Sequence, residues 1–180
     1  MSFHLFLDRA FKSLKLRRIN RLFRTQVIVP KGERPLKGDV ILYNTNITLG
    51  HNVHIYPGVF FWGDGPIVIG DNVDIGKDTI LYSSRNGGIY IGADTQIAAH
   101  CYLVDMDHGI KKGIPIRIQD NICEKIVIGK DVWIAAGVQI LKGSKIQDGA
   151  VIGAGAVVKG SIPENAIAVG IPARVLKYRE

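Results

Sequence analysis

His108 is the residue with the clearest capacity for chemistry. It stands in the run Leu103-Val104-Asp105-Met106-Asp107-His108-Gly109, with two carboxylates within three residues of the imidazole. An alcohol is a poor nucleophile at neutral pH, and a positioned base must take its proton as it attacks. Histidine titrates near working pH and supplies roughly a hundred- to ten-thousand-fold in that role. Either Asp105 or Asp107 could orient the ring; a solvated acidic turn is the alternative for both, and an exposed loop histidine is the alternative for His108. Arg85 and Asn86, with Tyr82, Ser83 and Ser84 alongside, could meet hydroxyls or a phosphate of a substrate. His4, His51, His54 and His100 lack such company. No metal-ligand spacing surrounds the two cysteines, and Cys101 reads as a small core residue.

The elements that position His108 follow from a count of six. From Ile128 the chain brings up Ile134, Ile140, Ile146, Ile152 and Val158, an aliphatic residue at every step. Neither the period of two of a strand nor the 3.6 of a helix does this. A period of six marks a hexapeptide β-helix, with one apolar side chain per short side of the coil. Earlier coils obey the same count: Leu49, Ile55, Phe61; Ile69, Ile75, Leu81; Ile91, Ile97, Leu103. Four residues after most of these sits something small or β-branched, such as Val53, Thr79, Cys101 or Ala150, as a narrow coil requires. Gly, Asn and Asp fall between, where tight corners need positive φ.

The third side of each early coil breaks the pattern. Short insertions follow Phe61 and Leu81, and a long one runs from 104 to 127 after Leu103. All three leave the prism on one edge, and stacked insertions on a solenoid edge are where binding is expected. Arg85, Asn86 and His108 all lie on these excursions.

The predicted fold is all-β: a parallel β-helix of about five coils over 26–163, the loop 104–127 inserted after the third, a helix over 1–25 and a tail over 164–180 packing on the solenoid. The chain of 180 residues carries a net charge of +7, most of it in the N-terminal stretch. There Phe6, Ala10, Leu14, Leu22 and Phe23 recur at helical intervals among Lys12, Lys15, Arg17, Arg18, Arg21 and Arg24, with Asp8 the one acid. Two readings fit: a helix covering the first coil of an open solenoid, or a basic amphipathic anchor on anionic lipid. A signal peptide does not fit, because charges interrupt the apolar residues. No run reaches membrane-span length, and no basic stripe with interleaved aromatics points to nucleic acid. The cysteine usage suits a reducing cytoplasm.

Three features together resemble the left-handed β-helix acyltransferases of the hexapeptide-repeat family, in particular the sugar O-acetyltransferases of surface-polysaccharide and lipopolysaccharide synthesis and the maltose and galactoside acetyltransferases. They are Asp107-His108-Gly109 at the loop mouth, the re-entry Ile128-Gly129-Lys130-Asp131-Val132-Trp133-Ile134, and Gly153-Ala154-Gly155 followed by Ile162-Pro163 and Gly170-Ile171-Pro172-Ala173-Arg174. The resemblance covers about residues 40–177. It implies a homotrimer that moves an acetyl group from acetyl-CoA to a sugar or glycan-precursor acceptor, with His108 as base and no metal. It further implies CoA contacts from Trp133, Ala136, Ala154, Lys159, Arg174 and Lys177. Two departures stand out: Lys159-Gly160 where the family commonly has Thr-Lys, and Ala135 where glycine usually follows Trp-Ile. Zinc carbonic anhydrases share the fold, but their histidine pair five residues apart is missing; His100 and His108 are eight apart. An amino-sugar N-acetyltransferase and a non-catalytic trimeric scaffold with a membrane-docking N-terminus are the other readings.

Overall fold

The computed structural model describes residues 3–180, with side chains from residue 13 onward; His4, Asp8 and Lys12 lie outside the described side chains. A 21-residue helix, α1 (Phe3–Phe23), leads into a parallel β-solenoid with three faces. Face I carries Ile47–Leu49, Ile67–Ile69, Ile89–Ile91, Ile126–Ile128, Lys145–Ile146 and Ser161–Ile162. Face II begins at His54–Ile55 and climbs through Trp133–Ile134 to Ala166–Val169. Face III runs from Ile41–Leu42 through Phe60–Gly63, Ile80–Ser83 and Tyr102–Val104 to Val157–Val158.

The hexad count is the register of these sheets. Ile55, Ile75, Ile97, Ile134, Ile152 and Ala168 stand directly above one another on face II. Leu42, Phe61, Leu81, Leu103, Ile140 and Val158 do so on face III. Successive β side chains point to opposite sides, so one residue per side enters the axis and its neighbour faces out. The inward side chains from Ile55 to Ile152 are almost wholly buried. Polar residues in the small positions find backbone partners: Thr95 Oγ1 donates to the Gly129 carbonyl at 3.0 Å, and Ser144 Oγ to that of Val158 at 3.1 Å. At the corners Asn72 (φ 57°) and Asp94 (φ 61°) adopt the left-handed conformation, and Asn72 Nδ2 donates to Asp94 Oδ1 at 2.9 Å. Gly92 is fixed by space: a Cβ there would lie 2.5 Å from the Gly129 carbonyl of the next coil.

The solenoid has about six turns rather than five. Residues 26–42 carry no hexad, yet Ile28 bridges to Thr48, Leu36 to Ile55, and Ile41–Leu42 pairs with Phe60–Phe61. Backbone pairing with a regular coil recruits this segment, and Val27 and Leu36 are buried beneath it. Above these six turns a seventh is started by Ser161–Ile162 and Ala166–Val169. Arg174–Tyr178 then returns antiparallel along Ala166–Val169.

Between Ser13 and Phe23, α1 packs across the first coil. Buried Asn20 donates from Nδ2 to the Leu36 carbonyl at 2.9 Å and accepts the Leu36 N–H on Oδ1 at 2.9 Å. Phe23 is buried with its ring 6.4 Å from that of Phe61. Lys15 pairs with Asp39. An open solenoid end needs such a cover, because its last coil has no neighbour for its apolar edge. Among the described residues no helix is long and apolar enough to cross a membrane.

Candidate active site

The three excursions leave from the corner between faces III and I and are tied to one another. Arg85 donates from Nε to Asp64 Oδ2 at 3.1 Å, linking the second excursion to the first, and its Nη2 lies 3.0 Å from the same oxygen. Asn86 beside it is exposed. Asp105 links the second excursion to the third. Its fully buried carboxylate accepts the Ser84 N–H (2.9 Å), the Ser84 hydroxyl (2.7 Å), the Ser83 hydroxyl (3.2 Å) and the Gly88 N–H. None of these donors is His108. Buried at the end of a central strand, a carboxylate needs several donors, and two main-chain N–H groups and two serine hydroxyls within 83–88 provide them.

Beyond Asp105 the chain becomes an arm. Met106–Asp107 pairs antiparallel with Ile122–Cys123, and the Glu124 N–H donates to the Asp105 carbonyl at 2.9 Å. The arm's tip is closed by Gln119. Its Oε1 accepts the Lys111 N–H at 2.8 Å, and its Nε2 donates to the carbonyls of Ile114 (2.8 Å) and Lys111 (3.1 Å). Gly109 packs against this closure, where a Cβ would come within 2.7 Å of the Gln119 Cβ. His108 therefore sits between a paired stem and a pinned glycine, its side chain exposed. Asp107 Oδ2 is 3.4 Å from Nζ of Lys142, a lysine largely buried at its stem.

Lys142 was missed in the sequence. The signal was the register itself: Leu103 lies under Ile140, so the residues two further on, Asp105 and Lys142, occupy adjoining levels at the excursion corner.

The residues assigned to CoA lie elsewhere on the prism. Ala136 and Ala154 share the corner between faces II and III on successive coils, where the Gly155 N–H donates to the Ala136 carbonyl at 2.9 Å. Both are exposed, and small side chains there leave the main chain accessible. Trp133, 55% exposed, faces outward on face II. Its column continues through Val151 and Ile167 to Lys177. Arg174 opens the same final strand and donates from Nη1 to the Ala173 carbonyl at 3.0 Å. Lys159 stands apart, after Val158, on the corner from which the excursions leave.

Burial pushes the Cys101 thiol above its ordinary value, and its Sγ contacts the Ala135 carbonyl at 3.3 Å. Cys123 is half-buried in the stem. Among the described residues no three His, Cys, Asp or Glu side chains gather as a metal site.

Comparison with known proteins agrees with this architecture. The family described as bacterial transferase hexapeptide (six repeats) matches residues 125–160. The putative lipopolysaccharide biosynthesis O-acetyl transferase WbbJ of Escherichia coli K12 is 36% identical, over 64% of this chain and 62% of its own. The putative colanic acid biosynthesis acetyltransferase WcaF of the same organism is 34% identical, over 73% of this chain and 69% of its own. The crystal structure of AntD, an N-acyltransferase from Bacillus cereus in complex with dTDP and 3-hydroxybutyryl-CoA, superposes with a TM-score of 0.68 at 25% identity, covering 86% of this chain and 81% of that one. The chain spans 39–62% of the length of the first three curated relatives it matches. The hexapeptide match and a third of identical residues across most of WcaF have one explanation: this chain belongs to the hexapeptide-repeat acyltransferase family.

Proposed function

We propose that this chain transfers an acetyl group from acetyl-CoA to a sugar hydroxyl of a surface-polysaccharide or lipopolysaccharide precursor, in the cytoplasm, with His108 as general base. Neutral imidazole takes the hydroxyl proton as the oxygen attacks the thioester carbonyl. The tetrahedral adduct collapses, the C–S bond breaks, and the imidazolium returns its proton to the departing thiolate of CoA. Asp105 is a positioning residue that fixes where the arm leaves the coil. Arg85 and Asn86 face the acceptor. Trp133, Ala136, Ala154, Arg174 and Lys177 receive the CoA arm and its phosphates, with Lys159 reaching in from its separate corner.

One observation carries this reading. His108 projects at one corner of the prism, while Ala136 and Ala154 line another, across face III. A single protomer cannot bring them to one thioester. A threefold ring sets the arm of one copy against the donor corner of the next, and cyclic symmetry repeats the site three times. Ile110, Ile116 and Ile118, exposed on the arm, supply apolar surface for that contact.

The test is thiol release from acetyl-CoA in the presence of a panel of mono- and nucleotide sugars. His108→Ala is expected to lose roughly a hundred- to ten-thousand-fold of the acceptor-dependent rate while remaining a trimer. An amino sugar as the one productive acceptor would favour transfer to nitrogen, and AntD is named as an N-acyltransferase. A wild type silent on every acceptor and unable to bind CoA would favour a scaffold.

A further inference from the structure

Cover and anchor read as alternatives for the N-terminal helix, but the structure gives them different faces of the same element. Leu16, Ile19, Asn20 and Phe23 turn toward the first coil, and Arg17, Arg18, Arg21 and Arg24 turn away from it. A fifth guanidinium joins from outside the helix. The two hydrogen bonds between Asn20 and Leu36 hold the following segment beside α1, and this brings Arg34 to the helical arginines. The five line a cleft of about 630 Å³ with Leu14, and no carboxylate of the described residues lines it. The nearby acids have other partners: Asp39 takes Lys15, and Glu33 faces His51 at 3.5 Å.

Five like charges gathered on one wall repel each other and call for an anionic partner. Guanidinium forks match phosphate oxygens in a bidentate manner. From Arg17 to Arg24 the row extends about 10 Å along the helix, longer than one phosphate and suited to several side by side. Leu14, more than half exposed and lining the same cleft, adds an apolar side chain that soluble phosphates would leave in water. We infer that the Arg17–Arg18–Arg21–Arg24–Arg34 cleft docks the protein on the headgroups of an anionic phospholipid bilayer while the opposite face of α1 covers the solenoid. This does not depend on the catalytic reading.

The experiment is sedimentation of the full chain with vesicles of roughly one-third phosphatidylglycerol in phosphatidylcholine, and with phosphatidylcholine alone. Partition is expected on the anionic vesicles alone and to fade at about 0.5 M salt, where the Debye length shrinks to a few ångströms. Each arginine near such a surface strengthens partition about five-fold, so Arg34→Gln should weaken it about five-fold and the triple variant R17Q/R21Q/R34Q on the order of a hundred-fold. The charge-matched variant K111Q/K112Q/K125Q should bind as wild type. Arg34→Gln lies outside the helix, and retained thermal unfolding temperature separates lost docking from lost folding. Equal partition on both vesicles, equal loss in the charge-matched variant, or saturable binding of inorganic pyrophosphate with no vesicle partition would each overturn the inference. No outcome depends on acyl transfer, so failure here is distinguishable from failure of the catalytic proposal.

Discussion

Asp105 grips Ser84 twice, through its main-chain N–H at 2.9 Å and its hydroxyl at 2.7 Å, and so fastens the exit of the histidine arm to the excursion of the coil below. Replacing Asp105 with Asn puts an amide N–H₂ against donors that need an acceptor. A lost hydrogen bond to a buried charged group costs roughly 1.5–3 kcal/mol. Asp105→Asn is expected to lose about that much in urea unfolding, and to lower turnover without changing the oligomeric state.

Asp107 and Lys142 form the other link, between the arm's stem and the following coil. Asp107 is exposed, so the pair is screened and worth under about 1 kcal/mol. A double-mutant cycle of Asp107→Asn and Lys142→Met should give a coupling energy in that range. Each single variant should reduce activity far less than His108→Ala; a loss as large as that variant's would make Asp107 a partner of the imidazole.

Gly109 adjoins His108 with no room for a side chain. Gly109→Ala would drive a methyl against Gln119, which must shift, and with it the turn that closes the arm. The expected result is impaired turnover with little change in global stability, since the arm lies outside the stacked core. Parallel activity and thermal-unfolding measurements check it.

The raised Cys101 thiol gives a pH signature. The unfolded thiol ionises around its ordinary value of 9.0, while the folded one holds its proton to higher pH. Between those points the unfolded state binds fewer protons, so stability falls as pH rises through about 9 and is intact below it. Cys101→Ala should flatten that alkaline decline. Alkylation of the native protein should mark Cys123 and spare Cys101 until unfolding.

Ile134 lies fully buried in the column from Ile97 to Ile152. Ile134→Ala leaves a void that rigid coils above and below cannot fill, and should cost about 2–5 kcal/mol in chemical denaturation.

The solenoid was legible because its rule is local. One inward residue every six places Ile55, Ile75, Ile97 and Ile134 in a column without reference to any distant part of the chain. The single edge of the three excursions follows from the same count, as does His108 at the mouth of the longest. Residues 26–42 escaped it, since their coil is imposed by pairing with Thr48, Ile55 and Phe60 and leaves no periodic trace.

Partners across coils were decided by the tertiary structure. Asp105 and Asp107 are two residues apart in sequence and equivalent on paper. The chain leaves face III between them: Asp105 stays at the coil against Ser83 and Ser84, while Asp107 lies in the paired stem of the arm beside Lys142. The same holds for the basic helix. Its sequence supplied the run Arg17, Arg18, Arg21 and Arg24, but Arg34 joins them only because Asn20 binds Leu36. Hexads set the height and face of every residue in the stack; which side chains meet was settled only when the coils closed on one another.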